Sequence, residues 1–230
     1  MCGRFTLTTD LQEVAARFAV PGPALENGGP RFNIAPTQMV VVVGADGQRF
    51  LRAMRWGLIP SWAPDPAMGS RLINARAETV AEKPSFRTAL RRRRCLIPAD
   101  GFYEWQKLGQ VKQPVRIVLK SRATFGFAGL WDSWTAPNGE VIQSCTIITT
   151  AANELLREVH DRMPVILAPA AEQVWLDPKV VEPGELLPLL QAYPPGEMEY
   201  YPVSTTVNSP GNDGPECVQP TATDRSPSSS

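Results

Sequence analysis

The alternation of apolar and polar residues predicts many short strands and only a few short helices. Helical spacing of apolar residues occurs over short stretches, the first at residues 10–19. Runs of strand length are more frequent and lie at residues 39–43, 49–56, 95–98, 101–106, 114–120, 125–131 and 141–150. Asp46-Gly47 between the first two is a strong hairpin signal. With no alternating strand–helix rhythm, the pattern predicts an α+β fold, mainly an antiparallel β-sheet or barrel-like core with short peripheral helices.

The length of 230 residues fits a single domain, which we predict for residues 1–208. From Ser209 the composition changes to Ser, Pro, Gly, Thr and Asp, which offer almost nothing to bury, so residues 209–230 are predicted to be a disordered tail. No run approaches the roughly 18 apolar residues of a membrane span. The N-terminus carries no basic-then-apolar signal pattern, and a cytoplasmic protein is expected.

Cysteine and histidine usage argues against a metal centre. The four cysteines are scattered without C-x-x-C spacing, and His160 is the only histidine. A structural zinc site and a disulfide framework are therefore not expected. We predict no cofactor and no metal.

Charge is unevenly distributed although the net charge is zero. Residues 1–125 hold 19 Lys and Arg against 9 Asp and Glu, whereas residues 126–230 hold 4 against 14. A basic half suggests a polyanion partner such as nucleic acid. Alternatively, the arginines are simply solvated. The arginines available for phosphate contacts are Arg71, Arg76, Arg87 and the run at residues 91–94.

The candidate chemistry begins at Cys2, directly after the initiator methionine. A small second residue normally permits removal of Met1, and the chain would then begin with a cysteine carrying a free thiol and a free α-amine. An amine attacks an aldehyde to give an imine, and the neighbouring thiol can close a five-membered thiazolidine ring. Only a terminal cysteine offers this chemistry. The alternative is that Cys2 is an ordinary small apolar residue at the start of a strand.

Further polar residues stand among apolar ones. Asn74 and Arg76 would share one face of a strand, which is either a site or a solvated face. Glu104 lies between two aromatic residues, where desolvation would raise its pKa and suit proton transfer, unless it points to solvent. His160 follows a predicted helix at residues 152–159, in a tight loop that could present a catalytic imidazole or a structural one.

Two tryptophans also allow two readings. Trp62 and Trp105 stand beside polar loop residues, where they could stack on bases as in proteins that bind single strands. Equally, they could belong to the core, as Trp56 and Trp131 could.

Seven sequence blocks occur in a recognisable order. They are MCGRF at residues 1–5, FNIAPT at 32–37, RWGLIPSW at 55–62, NARAET at 74–79, RCLIPADGFYEW at 94–105, FAGLW at 127–131 and HDRMPV at 160–165. Together they resemble the SRAP family of abasic-site processing proteins, over about residues 2–208. The resemblance implies that the aldehyde of an abasic site in single-stranded DNA reacts with the N-terminal cysteine to give a stable thiazolidine crosslink that shields the lesion.

The resemblance also implies a role for each matching residue. The catalytic set would be Cys2 as nucleophile, Asn74 orienting the sugar or the cysteine backbone, Glu104 handling protons, and His160 assisting sugar ring opening. The DNA-binding residues would be Arg4, Trp62, Arg76, Trp105 and Arg162, with the arginines on phosphates and the tryptophans along the DNA path. The family is also associated with β-elimination at abasic sites and with a self-processing peptidase activity. The loop after Trp62 departs from the pattern, since relatives commonly carry a lysine near Pro64.

Three functional hypotheses follow. The first is covalent capture of abasic single-stranded DNA by a monomer that associates with the nucleoid when bound to DNA. The second is an N-terminal-cysteine amide hydrolase in which His160, Asn74 or Glu104 assists Cys2. The third is a non-catalytic binder of single-stranded DNA, whose binding would depend on salt but not on an aldehyde. None of them involves a membrane.

Overall fold

Strands dominate the fold of this chain, for which a computed structural model describes residues 2–21 and 28–221. Within those residues the strands are β1 (Phe5–Leu7), β2 (Arg31–Ile34), β3 (Met39–Asp46), β4 (Gln48–Trp56), β5 (Asn74–Arg76), β6 (Arg94–Ala99), β7 (Gly101–Leu108), β8 (Val111–Leu119), β9 (Phe125–Thr135), β10 (Val141–Ala151), β11 (Arg162–Pro164), β12 (Ile166–Leu167) and β13 (Met198–Pro202). The helices are α1 (Leu11–Arg17), α2 (Arg87–Arg92), α3 (Pro169–Leu176) and α4 (Pro183–Leu186). The predicted α+β class with a mainly antiparallel, barrel-like core is confirmed.

Five strands close into a barrel in the order β10-β4-β3-β6-β9, because β9 pairs with both β6 and β10. The pairings are antiparallel except that β10 runs parallel to β4 and to the added short strand β5. Closure removes the unpaired edges that an open sheet would expose. Apolar side chains of these strands are buried, among them Val42, Met54, Leu96, Leu130 and Ile147.

A second sheet, in the order β13-β8-β7-β1-β2, carries the start of the chain. In it β1 lies between β2 and β7, with Phe5 opposite both Ile34 and Phe102. The Phe5 ring packs edge-on against Trp56 at 5.2 Å and Phe127 at 5.8 Å, which ties this sheet to the barrel. The residues just before β1 are therefore held between the two sheets.

Local sequence signals were reliable for the hairpin and the first helix. The predicted turn at Asp46-Gly47 joins β3 to β4, and Gly47 adopts the left-handed φ of 71° that such turns require. The helix predicted at residues 10–19 is confirmed as α1, and the Asp10 side chain caps it by accepting a hydrogen bond from the Gln12 amide at 2.7 Å.

The helix predicted at residues 152–159 is wrong. Only a 3-10 helix at Leu156–Glu158 forms there. The chain must reverse between β10 and β11, and the Ala152 amide already bonds the Asp161 carbonyl. Asn153 accepts a hydrogen bond from the Leu156 amide at 3.0 Å, which stabilises a tight turn instead of a helix.

The disordered tail predicted from Ser209 is wrong for residues 209–221. Asp213 accepts hydrogen bonds from the amides of Phe32 at 2.6 Å and Asn33 at 2.7 Å, and it pairs with Arg31. Cys217 is fully buried against Tyr103. The segment is anchored by polar contacts and one cysteine, which a composition rich in Ser, Pro and Gly conceals. Residues 222–230, the rest of the predicted tail, lie outside the described residues.

In the described part of the chain, no helix combines the length and the apolar character that crossing a membrane demands.

Gly57 lets the loop that carries Trp62 pass close to Gly69. Its φ is 128°, and a Cβ atom there would lie 2.6 Å from the Gly69 carbonyl oxygen. We expect Gly57→Ala to lower the free energy of unfolding by about 1–3 kcal/mol, the usual cost of such backbone strain. Urea denaturation measures it. The control is Gly184→Ala, where nothing lies within 4 Å of the added Cβ. Equal stability of Gly57→Ala and wild type would contradict this account.

Candidate functional site

The structure brings the four predicted catalytic residues together from distant parts of the chain. Asn74 on β5 donates a hydrogen bond from Nδ2 to the Cys2 carbonyl oxygen at 2.9 Å. Glu104 on β7 lies close enough for its charge to raise the pKa of the Cys2 thiol. His160, in the turn before β11, is close enough for its charge to oppose part of the rise in pKa that burial gives Glu104. The resulting cluster surrounds the start of the chain. The expected loss of Met1 concerns a position outside the described residues.

Cys2, which precedes β1 in the chain, is fully buried. Burial raises the pKa of its thiol far above the ordinary range, the Glu104 charge adds to this, and a hydrogen bond from the Arg4 amide only partly opposes it. Burial therefore disfavours the thiolate form of Cys2.

Asn74 has one end of its amide satisfied and the other open. Nδ2 binds the Cys2 carbonyl oxygen, whereas Oδ1 is buried and has no hydrogen-bond partner among the described residues. A buried acceptor left unmet costs free energy. Oδ1 is therefore suited to accept a hydrogen bond from a bound molecule or from the terminal amine.

Glu104 is 5% exposed and lies opposite Val115 on β8. Burial raises its pKa, and the nearby charge of His160 opposes part of that shift. A carboxyl group with a raised pKa exchanges its proton closer to neutral pH than an exposed one does. Its position between two aromatic residues left open whether the carboxyl is desolvated or faces solvent, and the fold buries it.

His160 is half-buried, and its Nδ1 has two neighbours. It lies 3.0 Å from the Arg162 amide nitrogen and 2.8 Å from Asp161 Oδ1. In the neutral ring Nδ1 accepts a hydrogen bond from the amide, which leaves the proton on Nε2. In the charged ring Nδ1 donates to the Asp161 carboxylate. These two contacts of Nδ1 hold the ring in the turn before β11.

The two tryptophans differ in their surroundings. Trp62 is 55% exposed, on a loop anchored by hydrogen bonds from the Ser61 amide to Asp132 and from the Trp134 indole to the Ala63 carbonyl. A large aromatic ring held in solvent on a fixed loop can stack on a base. Trp105 is half-buried, and its Nε1 donates to Asn208 Oδ1 at 2.7 Å.

Arg4 is 8% exposed and supports the fold. Its Nη1 donates to Asn33 Oδ1 at 2.7 Å and to the Val207 carbonyl at 2.8 Å, and its guanidinium lies 5.8 Å from the Trp105 ring centre. Burial lowers the pKa of Arg4, and in the described residues no carboxylate forms an ion pair with it. Its phosphate contact stays a prediction, to which the structure adds this anchoring role.

The remaining two arginines are in opposite situations. Arg76 is exposed and forms no ion pair within the described ranges. Arg162 makes a two-pronged ion pair with Glu78 at 2.5 and 2.9 Å and also donates to the Thr149 carbonyl. Arg162 in turn lowers the pKa of Glu78. A phosphate would have to compete with Glu78 for Arg162, whereas Arg76 is open to it.

Sequence reasoning missed the residues that hold Arg4 and Trp105. Asn33 binds Arg4 through Oδ1 and donates from Nδ2 to the carbonyls of residues 207, 209 and 212. Asn208 binds Trp105. The polar Asn33 inside an apolar motif was a usable signal, because a buried amide needs partners. Asn208 and Asp213 offered none.

The fold pairs part of the uneven charge of the two halves internally. Five ion pairs join a cation of the first half to a carboxylate of the second: Arg17–Glu172, Arg31–Asp213, Arg91–Glu182, Arg93–Asp132 and Arg122–Glu199. The fold therefore neutralises much of the asymmetry internally. Among the described residues, no three His, Cys, Asp or Glu side chains are grouped so that they could hold a metal ion.

The fold and site define a class of β-barrel proteins whose second residue, a cysteine, lies at the candidate active centre. The chain belongs to the SRAP family: the family model described as "SOS response associated peptidase (SRAP)" matches residues 1–210. It is 48% identical over 223 residues to the abasic site processing protein YoqW of Bacillus subtilis, covering 95% of this chain and 99% of the relative. It is 40% identical to the abasic site processing protein HMCES of Xenopus tropicalis, covering 74% of this chain and 57% of the relative.

Solved structures share the fold. A crystal structure of a protein from Bacteroides thetaiotaomicron superposes with a TM-score of 0.85 at 28% identity, covering 96% of this chain and all of the other. A protein from Bordetella bronchiseptica gives a TM-score of 0.75, also at 28% identity, and covers 88% of this chain and all of the other. The barrel and the sheet that carries β1 are thus common to relatives of distant sequence.

Asp213 should be needed to hold the segment at residues 209–221 against β2. Asp213→Ala removes the ion pair with Arg31 and leaves two strand amides without their acceptor. We expect the free energy of unfolding to fall by about 1–3 kcal/mol, as for other losses of buried hydrogen-bond partners. Urea denaturation provides the value. Glu140→Ala is the control, because its exposed carboxylate accepts no hydrogen bond and forms no ion pair among the described residues. A loss no larger than in that control would refute the expectation.

Glu104 should make stability depend on pH. Because burial raises its pKa above the ordinary 4.5, the folded state binds this proton more tightly than the unfolded chain does. The resulting stabilisation is complete below about pH 4.5 and is lost as pH rises through the folded pKa. Glu104→Gln cannot ionise, so it should be more stable than wild type at about pH 7.5.

The test is urea denaturation of Glu104→Gln and wild type at about pH 7.5 and about pH 4. The advantage of the variant should shrink towards zero at the lower pH, where both side chains are uncharged. A variant that is less stable at the higher pH, or whose advantage is the same at both, would show that burial does not raise this pKa.

Proposed function

We propose that this protein captures abasic sites in single-stranded DNA by forming a covalent crosslink through Cys2 after removal of Met1. The observation that carries the proposal is the hydrogen bond from Asn74 to the Cys2 carbonyl, which fixes the start of the chain beside Glu104 and His160. Membership of the SRAP family and relatives named abasic site processing proteins support it. The protein is proposed to act as a monomer.

The chemistry proceeds without an oxidant or a reductant. The α-amine of Cys2 adds to the aldehyde carbon of the open-chain sugar, and loss of one water gives an imine. The thiol then adds across the C=N bond, so that sulfur bonds to carbon and the thiol proton passes to nitrogen. The products are a thiazolidine and one water. Burial disfavours the thiolate, which favours attack by the amine first and addition of the thiol afterwards.

Glu104 and His160 would move the protons of this sequence. Once the neutral amine has added to the aldehyde carbon, Glu104 can accept the proton that the nitrogen loses and pass it to the departing hydroxyl, a task suited to its raised pKa. His160 would assist opening of the sugar ring by proton transfer at the ring oxygen. Asn74 would keep the amine and thiol on the side of the sugar by holding the Cys2 carbonyl.

The DNA would pass over Trp62 and Arg76, the exposed members of the predicted binding set. Trp62 would stack on a base, and Arg76 would bind a phosphate. Arg4 and Trp105 would meet the strand near Cys2. Arg162 would contribute after a phosphate displaces Glu78.

A lyase activity belongs to the same proposal. The imine that precedes ring closure also acidifies the neighbouring sugar C–H, and loss of that proton can expel the 3′ phosphate. Ring closure by the thiol removes the imine and so competes with strand cleavage. Capture and cleavage are alternative fates of one intermediate.

The second candidate is an amide hydrolase, favoured by the word peptidase in the family description. It would need Cys2 as a nucleophile attacking an amide carbonyl. The raised pKa of the buried thiol argues against it, because such attack is fastest from a thiolate.

The decisive variants are Cys2→Ala and Cys2→Ser, tested after mass spectrometry verifies the loss of Met1. Protein is mixed with a single-stranded oligonucleotide containing one abasic site and separated on a denaturing gel. Wild type should give a heat-stable shifted band that intact DNA does not give. Cys2→Ala should lose the heat-stable band. Cys2→Ser keeps the amine but lacks the thiol, so its adduct should be transient, trapped only by a reductant, and accompanied by more strand cleavage.

Cys145→Ala is the matched control, since this cysteine is also buried but lies within β10. It should crosslink as wild type does. A wild-type yield of stable crosslink from Cys2→Ala would rule out the thiazolidine. No band from processed, folded wild type, together with turnover of an amide substrate, would establish the hydrolase instead.

A further inference from the structure

A group of exposed cations, the α2 patch, lies outside the site described so far. It consists of Lys83, Arg87, Arg91 and Arg92. In the ranges 2–21 and 28–221, three of them form no ion pair, and Arg91 makes only a 3.6 Å contact with the exposed Glu182. The arginines of other ion pairs are held more closely. The patch is therefore the part of the basic first half whose charge the fold leaves largely unneutralised.

The four arginines at residues 91–94 fall into two pairs, one exposed and one held by the fold. Arg93 pairs with Asp132 at 2.7 Å. Arg94 is 5% exposed and donates hydrogen bonds to carbonyls at the end of α2 and of α3, namely those of Leu90, Arg91, Trp175 and Asp177. These two arginines serve the fold, whereas Arg91 and Arg92 point to solvent.

The α2 patch is unfavourable for its own helix. Lys83 precedes α2 and Arg87 begins it, where the helix dipole disfavours positive charge. Arg87 and Arg91 are like charges at i and i+4, which destabilise a helix by a few tenths of a kcal/mol. The helix dipole is favourable only for Arg91 and Arg92, which lie in the last turn of α2. An anionic partner would remove these repulsions.

Two clefts give such a partner access to the guanidinium groups. One, of about 280 Å³, is lined by Ala81, Arg87, Thr88, Arg91 and Arg92. The other, of about 500 Å³, is lined by Arg91, Arg92, Pro178, Val181 and Glu182. Guanidinium groups bind phosphate oxygens through paired hydrogen bonds, so phosphate is the chemistry that this lining fits.

The patch is directly connected to the candidate site. β5 ends at Arg76, and successive tight turns lead from it into α2 through hydrogen bonds from Thr79 to Arg76, Lys83 to Thr79 and Arg87 to Lys83. Only the turns of residues 77–86 separate Arg76 from Arg87. For a strand bound at Arg76, the α2 patch therefore offers the next exposed cations along the chain.

We propose that the α2 patch binds backbone phosphates of the captured DNA, beyond the nucleotides that lie at Arg76. The patch would add length-dependent affinity and fix the direction in which the strand leaves Arg76. The proposal rests on the function proposed above for the identity of the strand. Non-covalent binding of intact DNA tests it separately from capture.

The experiment measures binding of an intact single-stranded oligonucleotide by fluorescence anisotropy between about 50 and about 200 mM NaCl. The variant is Arg87→Ala/Arg91→Ala/Arg92→Ala. Each lost phosphate contact flattens the slope of log K against log salt by about 0.7, so the triple variant should change it by about 2. The control, Lys107→Ala/Lys112→Ala/Lys120→Ala, removes three exposed cations near the ends of β7 and β8 and should keep the wild-type slope.

Oligonucleotide length gives a second readout. As the oligonucleotide is lengthened from about four to about twenty nucleotides, wild type should gain more affinity than the patch variant does. The single variant Arg92→Ala, expected to change the slope by about 0.7, keeps the test available if the triple variant unfolds. A wild-type slope in a folded patch variant overturns the proposal, and so does an equal change in the lysine control. If abasic capture fails but the slope changes, the proposed function falls while the phosphate-binding patch stands.

Discussion

The start of the chain is buried between two sheets, and the candidate site depends on this constraint. β1 pairs on both sides, and Phe5 packs between Trp56 and Phe127, so the residues before it cannot remain in solvent. Polar groups brought inside a protein need partners. Asn74 meets the Cys2 carbonyl in this way, and Glu104 lies beside the thiol. The contacts that group the candidate catalytic residues therefore also supply partners for polar groups of the buried segment at Cys2.

Burial also bears on the order of the proposed reaction. It raises the pKa of both the Cys2 thiol and the Glu104 carboxyl, so it disfavours the charged form of each group. Such a thiol is a poor first nucleophile but needs no thiolate to add to an imine already formed beside it. The same environment that slows thiol chemistry in general therefore suits a ring closure that follows attack by the amine.

Local features of the site could be predicted from the sequence, but their meeting could not. Asp46-Gly47 determines its own hairpin, and Asn74, Glu104 and His160 each stood out among apolar neighbours. Their convergence depends on pairings between distant segments, such as β1 with β7 and β5 with β10, which no local pattern encodes. Composition misled at residues 209–221 because a few polar anchors and one buried cysteine, not an apolar run, hold that segment. Asn33 could have been found, since a buried amide demands partners.

The role of an arginine can be assigned only when its partners in the fold are known. Arg94, Arg93 and Arg92 are consecutive in sequence, yet the first is buried, the second paired and the third open. The same distinction separates Arg162, held by Glu78, from the exposed Arg76. A phosphate that displaces Glu78 exchanges one strong pairing for another, so its net gain is small, whereas a phosphate at an unpaired arginine gains a new one. Salt-dependent affinity for DNA should therefore come mainly from Arg76 and the α2 patch, and Arg162 should contribute more to geometry than to strength.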